Sequence, residues 1–96
     1  MKTLCISAGL SLSSDAPREY VLEEARKLVA ETVKEPGCQH FELLERKDDP
    51  TKFTLWERWD SEEDLDNHFE QAHTKAFLAQ NLTKVEYIEK LYSLSE

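Results

Sequence analysis

Three histidines, His40, His68 and His73, are the side chains of this 96-residue chain whose proton equilibrium falls naturally near neutral pH. Acid or base chemistry starts from them. On a helical wheel of about 100° per residue with Leu65 at the origin, Phe69 falls at about 40°, Ala72 at about −20° and His68 at about −60°. His68 therefore borders an apolar face. His73 follows about 140° away on an unbroken helix, without the i, i+4 pairing that lets two histidines share one metal, so no metal site is expected. A break near Gln71-Ala72 would turn His73 inward or make it a cap. Glu57 and Trp59, two apart, point the same way and set a carboxylate beside a large flat ring. His40 shares a strand face with Cys38, Glu42 and Leu44 and meets either a pocket or an interface. A structural histidine and a core tryptophan account for the same spacings. The sequence has no GxSxG, P-loop, GxGxxG or zinc-spaced Cys/His cluster. The residues by themselves reach a His-Trp pocket and no named reaction.

The elements that must position these groups are legible in the hydrophobic pattern. Leu4, Ile6, Ala8 and Leu10 alternate with Cys5, Ser7 and Gly9, which predicts a strand over residues 4–10. Ser14 or Asp15 is the expected cap of a helix with Pro17 in its first turn and a stripe of Val21, Ala25, Leu28, Val29 and Thr32. Pro36-Gly37 ends that helix. A second strand runs from Cys38 to Glu45, with Gln39, Phe41, Leu43 and Glu45 on one face. After a turn at Asp48-Asp49-Pro50, Phe53, Leu55, Glu57 and Trp59 form one face of a third strand, hairpin-paired to the second. Ser61-Glu62-Glu63-Asp64 resembles a capping box and opens a helix through Leu65, Phe69 and Ala72. A further turn or helix carries Ala76, Phe77 and Leu78. Val85 to Leu94 fits a helix through Val85, Ile88 and Leu91, or a strand through Ile88, Tyr92 and Leu94. With a strand there, the order is βαββαβ, an α+β ferredoxin-like sheet with helices on one face. The other face also carries large apolar groups, so a second copy is its expected cover.

The size predicts a single domain over residues 1–96. Twelve Lys and Arg against twenty Asp and Glu give a net charge of −8, a field that repels nucleic acid and anionic membranes. No apolar run approaches the roughly 20 residues of a membrane helix, and the N-terminus does not read as a signal peptide. Cys5 and Cys38, without CxxC spacing, read as unpaired buried thiols of a cytoplasmic protein.

Several stretches together resemble the antibiotic biosynthesis monooxygenase domain family. They are Glu35-Pro36-Gly37-Cys38, Phe41-Glu42-Leu43, Asp49-Pro50-Thr51-Lys52-Phe53 and Glu57-Arg58-Trp59, then Asp60 through His68 and Ala72-His73-Thr74-Lys75-Ala76-Phe77. The resemblance implies a ferredoxin-like dimeric α/β barrel, with Val85 to Leu94 as its fourth strand and a pocket between sheet and helices. It implies a quinol monooxygenase, oxidising a small quinol or phenolic compound with O2 and no cofactor. His68 or His73 is then the proton acceptor, Trp59 a wall stacking on a ring, and Glu57 and His40 are further substrate-binding candidates. The first strand offers Cys5, Ser7 and Gly9 where haem-degrading relatives carry Asn, so haem is not implied. A branch similar in its two histidines isomerises a phosphorylated autoinducer-type sugar, for which Arg58 and Lys75 are the candidate cations. A dimeric small-molecule-binding or stress-response domain without turnover is the reading from another class.

Overall fold

Alternation along the first segment places Leu4, Ile6, Ala8 and Leu10 in the core and forms strand β1 (Leu4–Leu12). In the computed structural model, which describes residues 2–13 and 15–94, the elements that follow are α1 (Arg18–Thr32), β2 (Cys38–Arg46), β3 (Asp49–Trp59), α2 (Glu62–Phe69), α3 (Ala72–Ala79) and β4 (Thr83–Tyr92). The sheet order is β2-β3-β1-β4, antiparallel throughout. This is a ferredoxin-like α+β fold. The last segment is a strand and not a helix, because β1 would otherwise leave one edge without its ladder partners.

Four local expectations shift. The start of α1 has Pro17 at its N-cap, with no side-chain cap; the Pro17 carbonyl accepts from the N–H groups of Tyr20 and Val21. Asp15 does not cap, and Ser14 lies outside the described residues. The β2–β3 turn is Lys47-Asp48, so Asp49 and Pro50 belong to β3. Pro50 is tolerated there because it falls where the register slips between Glu45↔Phe53 and Arg46↔Asp49, and no ladder bond is lost. Cys38 packs against the core with Phe41, not beside His40, because an irregularity at Gln39 pairs Cys38 with Trp59 and His40 with Arg58. The buried stripe of α2 is Leu65 and His68, while Phe69 is 47% exposed.

The core lies between one sheet face and the helices: Leu4, Ile6, Ala8, Val21, Ala25, Leu28, Phe41, Trp59, Leu65, Phe77 and Leu82. The opposite face carries half-buried Trp56 and the exposed Leu44, Tyr87 and Leu91, with no helix over it among the described residues. Gly9 sits on that face under the Tyr87 ring, where a Cβ would come within 2.2 Å of a ring carbon. The two thiols are free, Cys5 on the bare face and Cys38 on the core face. No helix among the described residues is long and apolar enough to cross a membrane.

Candidate active site

Helix α1 buries Val21, Ala25, Leu28 and Thr32, and Glu35 occupies the next position of that stripe just beyond the helix end. The chain can turn there because Gly37 adopts φ +83°, a conformation that other residues enter at a cost, and because it has no Cβ to run into the Asp64 side chain. The turn holds the Glu35 side chain inside. Its Oε2 lies 2.8 Å from His68 Nδ1 and 2.6 Å from His73 Nε2. A carboxylate only accepts, so both imidazoles donate to this one oxygen.

The two histidines come together because the helical path breaks between Phe69 and Ala72. His68 closes α2 and His73 opens α3. An unbroken helix would have held them about 140° apart. Ring centroids of His68 lie 5.2 Å from Trp59, 5.4 Å from Phe41 and 5.3 Å from Phe69. The imidazole is thus clamped by aromatic rings, with Thr74 Oγ1 3.3 Å from the same Nδ1. Nε2 of His68 makes no hydrogen bond among the described residues and is not sealed from solvent.

His68 lines a cavity of about 160 Å³ between the sheet and α2–α3. Its walls are largely apolar, with Ile6, Phe41, Leu55, Leu65 and Phe77 among them, and its mouth runs along β4, where Val85 and Ile88 are half exposed. Glu57 lines it too. Burial pushes the Glu57 carboxyl up to about 7, against the pull of the Trp59 indole N–H, which donates to Oε1 at 2.9 Å; the Glu35 charge adds to the rise. Burial also lowers the His68 pKa, although the Glu35 hydrogen bond and charge oppose it. The cavity therefore holds a neutral imidazole and a carboxyl poised to exchange a proton near pH 7. The Cys38 thiol is raised to about 11, first by burial and then by the Glu35 charge, which leaves it un-ionised and a poor nucleophile. A larger, shallower groove of about 440 Å³ between α1 and β2 includes Arg18, Arg26 and Phe53 but no histidine. The smaller cavity is the one lined by groups with shifted proton equilibria, Glu57 and His68.

The expected site residues separate into three positions. His68 and Glu57 line the cavity. His73, 23% exposed at its side chain, lies behind Glu35 and does not line it, and Trp59 has no exposed surface at all. Trp59 cannot reach a ligand ring in this arrangement because its face is occupied by His68 and its N–H by Glu57. His40 stands on the bare sheet face with its Nε2 2.9 Å from Glu42 Oε1, away from the cavity. Glu35 is the polar group that reading motif by motif missed. Its signal was a carboxylate continuing an otherwise buried helical stripe.

Residues 15–80 match the family described as Antibiotic biosynthesis monooxygenase. The uncharacterized protein YjcS of Bacillus subtilis (strain 168) is 38% identical over 85 residues, which is 88% of this chain and 81% of YjcS. A solved structure of protein YjcS is similar with a TM-score of 0.87 and 36% identity, covering 93% of this chain and 96% of that one. The structure of Rv0793 from Mycobacterium tuberculosis is similar with a TM-score of 0.84 and 26% identity, covering 98% and 97%. The matched stretch contains Glu35, Glu57, Trp59, His68 and His73, and over it this chain belongs to the antibiotic biosynthesis monooxygenase family.

Proposed function

We propose that this protein is a cofactor-independent monooxygenase that oxidises a small quinol or phenolic compound with O2, with His68 as proton acceptor. The observation that carries this reading is the His68 ring held at Nδ1 by Glu35, with Nε2 unpartnered, beside Glu57 in one apolar cavity. An imidazole fixed in that tautomer offers its lone pair at Nε2, the same logic by which a buried carboxylate orients a catalytic histidine elsewhere.

The chemistry balances without an added reductant. Nε2 accepts the hydroxyl proton of the quinol, and the resulting anion passes an electron to O2. Recombination of the pair forms a carbon–oxygen bond and a substrate hydroperoxide. Breaking its O–O bond leaves one oxygen on the ring and releases the other as water, so quinol plus O2 becomes hydroxyquinone plus water. Both electron pairs come from the substrate. Glu57, half protonated near neutrality, is placed to give the leaving oxygen its proton. Apolar walls shelter the anion from bulk water. Trp59 and His73 support this arrangement from behind, Trp59 by packing and His73 by holding Glu35. A second copy of the chain over the bare sheet face completes the reading.

A phosphorylated sugar fits less well. Lys90 is the one cation among the described lining residues, and it is tied to Glu62 at 2.7 Å. The test is O2 uptake by metal-free protein across a panel of hydroquinones, catechols and naphthols. Uptake matched by hydroxyquinone or quinone formation supports the reading, whereas no uptake above the uncatalysed rate with any member removes it.

A further inference from the structure

The cluster behind the cavity wall has a second use. Glu35, His68 and His73 each present one ligand-type atom, and the three atoms lie within 4.8 Å of one another. We propose that these three side chains form a binding site for a divalent transition cation of the Zn2+ or Co2+ class. Two imidazoles and one carboxylate are the donor set such borderline ions take, and a hard ion such as Mg2+ would not select it.

Four features of the cluster support this assignment. Its ligands come from three separate places, the turn after α1, the end of α2 and the start of α3, so an ion would tie the end of α1 to the α2–α3 junction across the intervening β2–β3 hairpin. Around a tetrahedral ion with bonds of about 2.0–2.1 Å, ligand atoms sit about 3.3 Å apart. The two contacts to Glu35 Oε2, now 2.6 and 2.8 Å, open by about 0.5 to 0.7 Å, and the two imidazole nitrogens, within 4.8 Å of each other, close toward the same spacing. Oε1 of Glu35 makes no hydrogen bond among the described residues, which leaves the carboxylate free to bind through one oxygen or both. His73 is the partly exposed member and supplies an entry path from solvent.

Occupancy has a consequence for the cavity. An ion on Nδ1 of His68 displaces the proton now held there, and a neutral imidazole must then carry its proton on Nε2. The cavity-facing nitrogen changes from acceptor to donor. Metal binding therefore switches the proposed base off, with the ion acting as an inhibitor and not as a cofactor. This consequence rests on the proposed function, while the binding itself does not.

The experiment is a Co2+ titration of the chelator-treated full chain, read by visible ligand-field absorption and by calorimetry. One ion per chain is expected, with Glu35→Gln and His73→Gln each weakening binding at least tenfold and His40→Gln leaving it unchanged. Should either of the first two variants fail to fold, side-chain NMR of the wild type decides the same point: Zn2+ must shift the imidazole signals of His68 and His73 and spare His40. Absence of stoichiometric Co2+ binding, or binding that survives both Glu35→Gln and His73→Gln, overturns the site. O2 uptake with and without Zn2+ is measured separately. Binding without any turnover removes the proposed reaction and keeps the site, and turnover unaffected by a bound ion removes the switch.

Discussion

Glu35 Oε2 and His68 Nδ1 stand 2.8 Å apart although their residues are 33 positions apart in sequence. The contact spans the β2–β3 hairpin in sequence and joins the turn after α1 to the end of α2 in space. It fixes which nitrogen of His68 carries the proton. It also puts a negative charge next to the ring that would become cationic during proton transfer.

Replacing Glu35 with Gln keeps the shape and removes the charge. The amide N–H2 can now donate to Nδ1, which moves the imidazole proton to Nε2 and disables the base. Quinol turnover is expected to fall by about 10²- to 10⁴-fold with substrate binding little changed. Glu35→Ala goes further and leaves two imidazole donors without their acceptor, at about 1–3 kcal/mol of stability. Steady-state kinetics and urea unfolding of the two variants separate these effects. Full activity in Glu35→Gln would show that the contact is structural only.

Glu57 makes stability depend on pH. Its carboxyl ionises near 4.5 in the unfolded chain and at about 7 in the folded one. Below 4.5 both states are protonated and the neutral side chain is accommodated without penalty. Between 4.5 and 7 the unfolded state releases the proton while the folded state retains it, so stability declines as pH rises, by about 3 kcal/mol in all. Burial of His68 acts in the opposite direction, since its lowered pKa removes stability as pH falls below about 6.5. Glu57→Gln isolates the first effect. The amide oxygen still accepts the Trp59 N–H, and the variant is expected to be more stable than the wild type at pH 8 and nearly equal to it at pH 4. A parallel pair of stability curves across that range would contradict the buried carboxyl.

Much of this architecture was legible because strand and helix periods differ. The alternation of Leu4, Ile6, Ala8 and Leu10 and the stripe of Val21, Ala25, Leu28 and Thr32 each named an element and its buried face. The bulge at Gln39 was not legible, since two residues opposing one breaks alternation without any marker in residue type. That slip moved Cys38 to the core and left His40 on the bare face. The Lys47-Asp48 turn was hidden for a similar reason: Asp49-Pro50 has turn chemistry, but the register irregularity lets Pro50 sit in a strand. At the site, the wheel placed His68 correctly beside Leu65 but took Phe69 as the more buried neighbour. A histidine with a buried carboxylate partner can go deeper than a phenylalanine, and the partner lay in a different element. For Trp59 the bare residue pattern allowed a core position and the family resemblance a cavity wall; its hydrogen bond to Glu57 and contact with His68 hold it beneath the cavity.

Gly37 is expected to tolerate no side chain. Its φ of +83° is costly for other residues, and a Cβ would lie 2.2 Å from Asp64 Cγ. Gly37→Ala should lose about 2 kcal/mol or more of stability, part from backbone strain and part from the clash. Adding Asp64→Ala relieves the clash alone and should recover a fraction of the loss, offset by loss of the hydrogen bond that the Ser61 hydroxyl donates to Asp64 Oδ2, while the cap on the Asp64 backbone N–H remains. Because Gly37 lies two residues after Glu35, Gly37→Ala should also loosen the Glu35–His68 contact, visible as a changed His68 imidazole signal. Equal stability of Gly37→Ala and wild type would mean the turn adopts another conformation in solution.

The bare sheet face is expected to be covered by a second copy. Cys5, Ser7, Gly9, Trp56 and Leu91 share it, and Leu44, Tyr87 and Leu91 are large apolar side chains exposed there. A twofold axis lets the same patch cover itself, which is how a single small chain closes an open sheet. Sedimentation at micromolar concentration should give about twice the 11.2 kDa chain mass. Leu44→Glu with Leu91→Glu places carboxylates on that face without touching the core, so the double variant should sediment as a folded monomer. The His68 cavity lies on the other side of the sheet, and ligand binding by that monomer should persist at reduced affinity if the partner only stiffens the sheet. A wild type that stays monomeric at tens of micromolar would leave Leu44, Trp56 and Leu91 in water and remove the dimer from the reading.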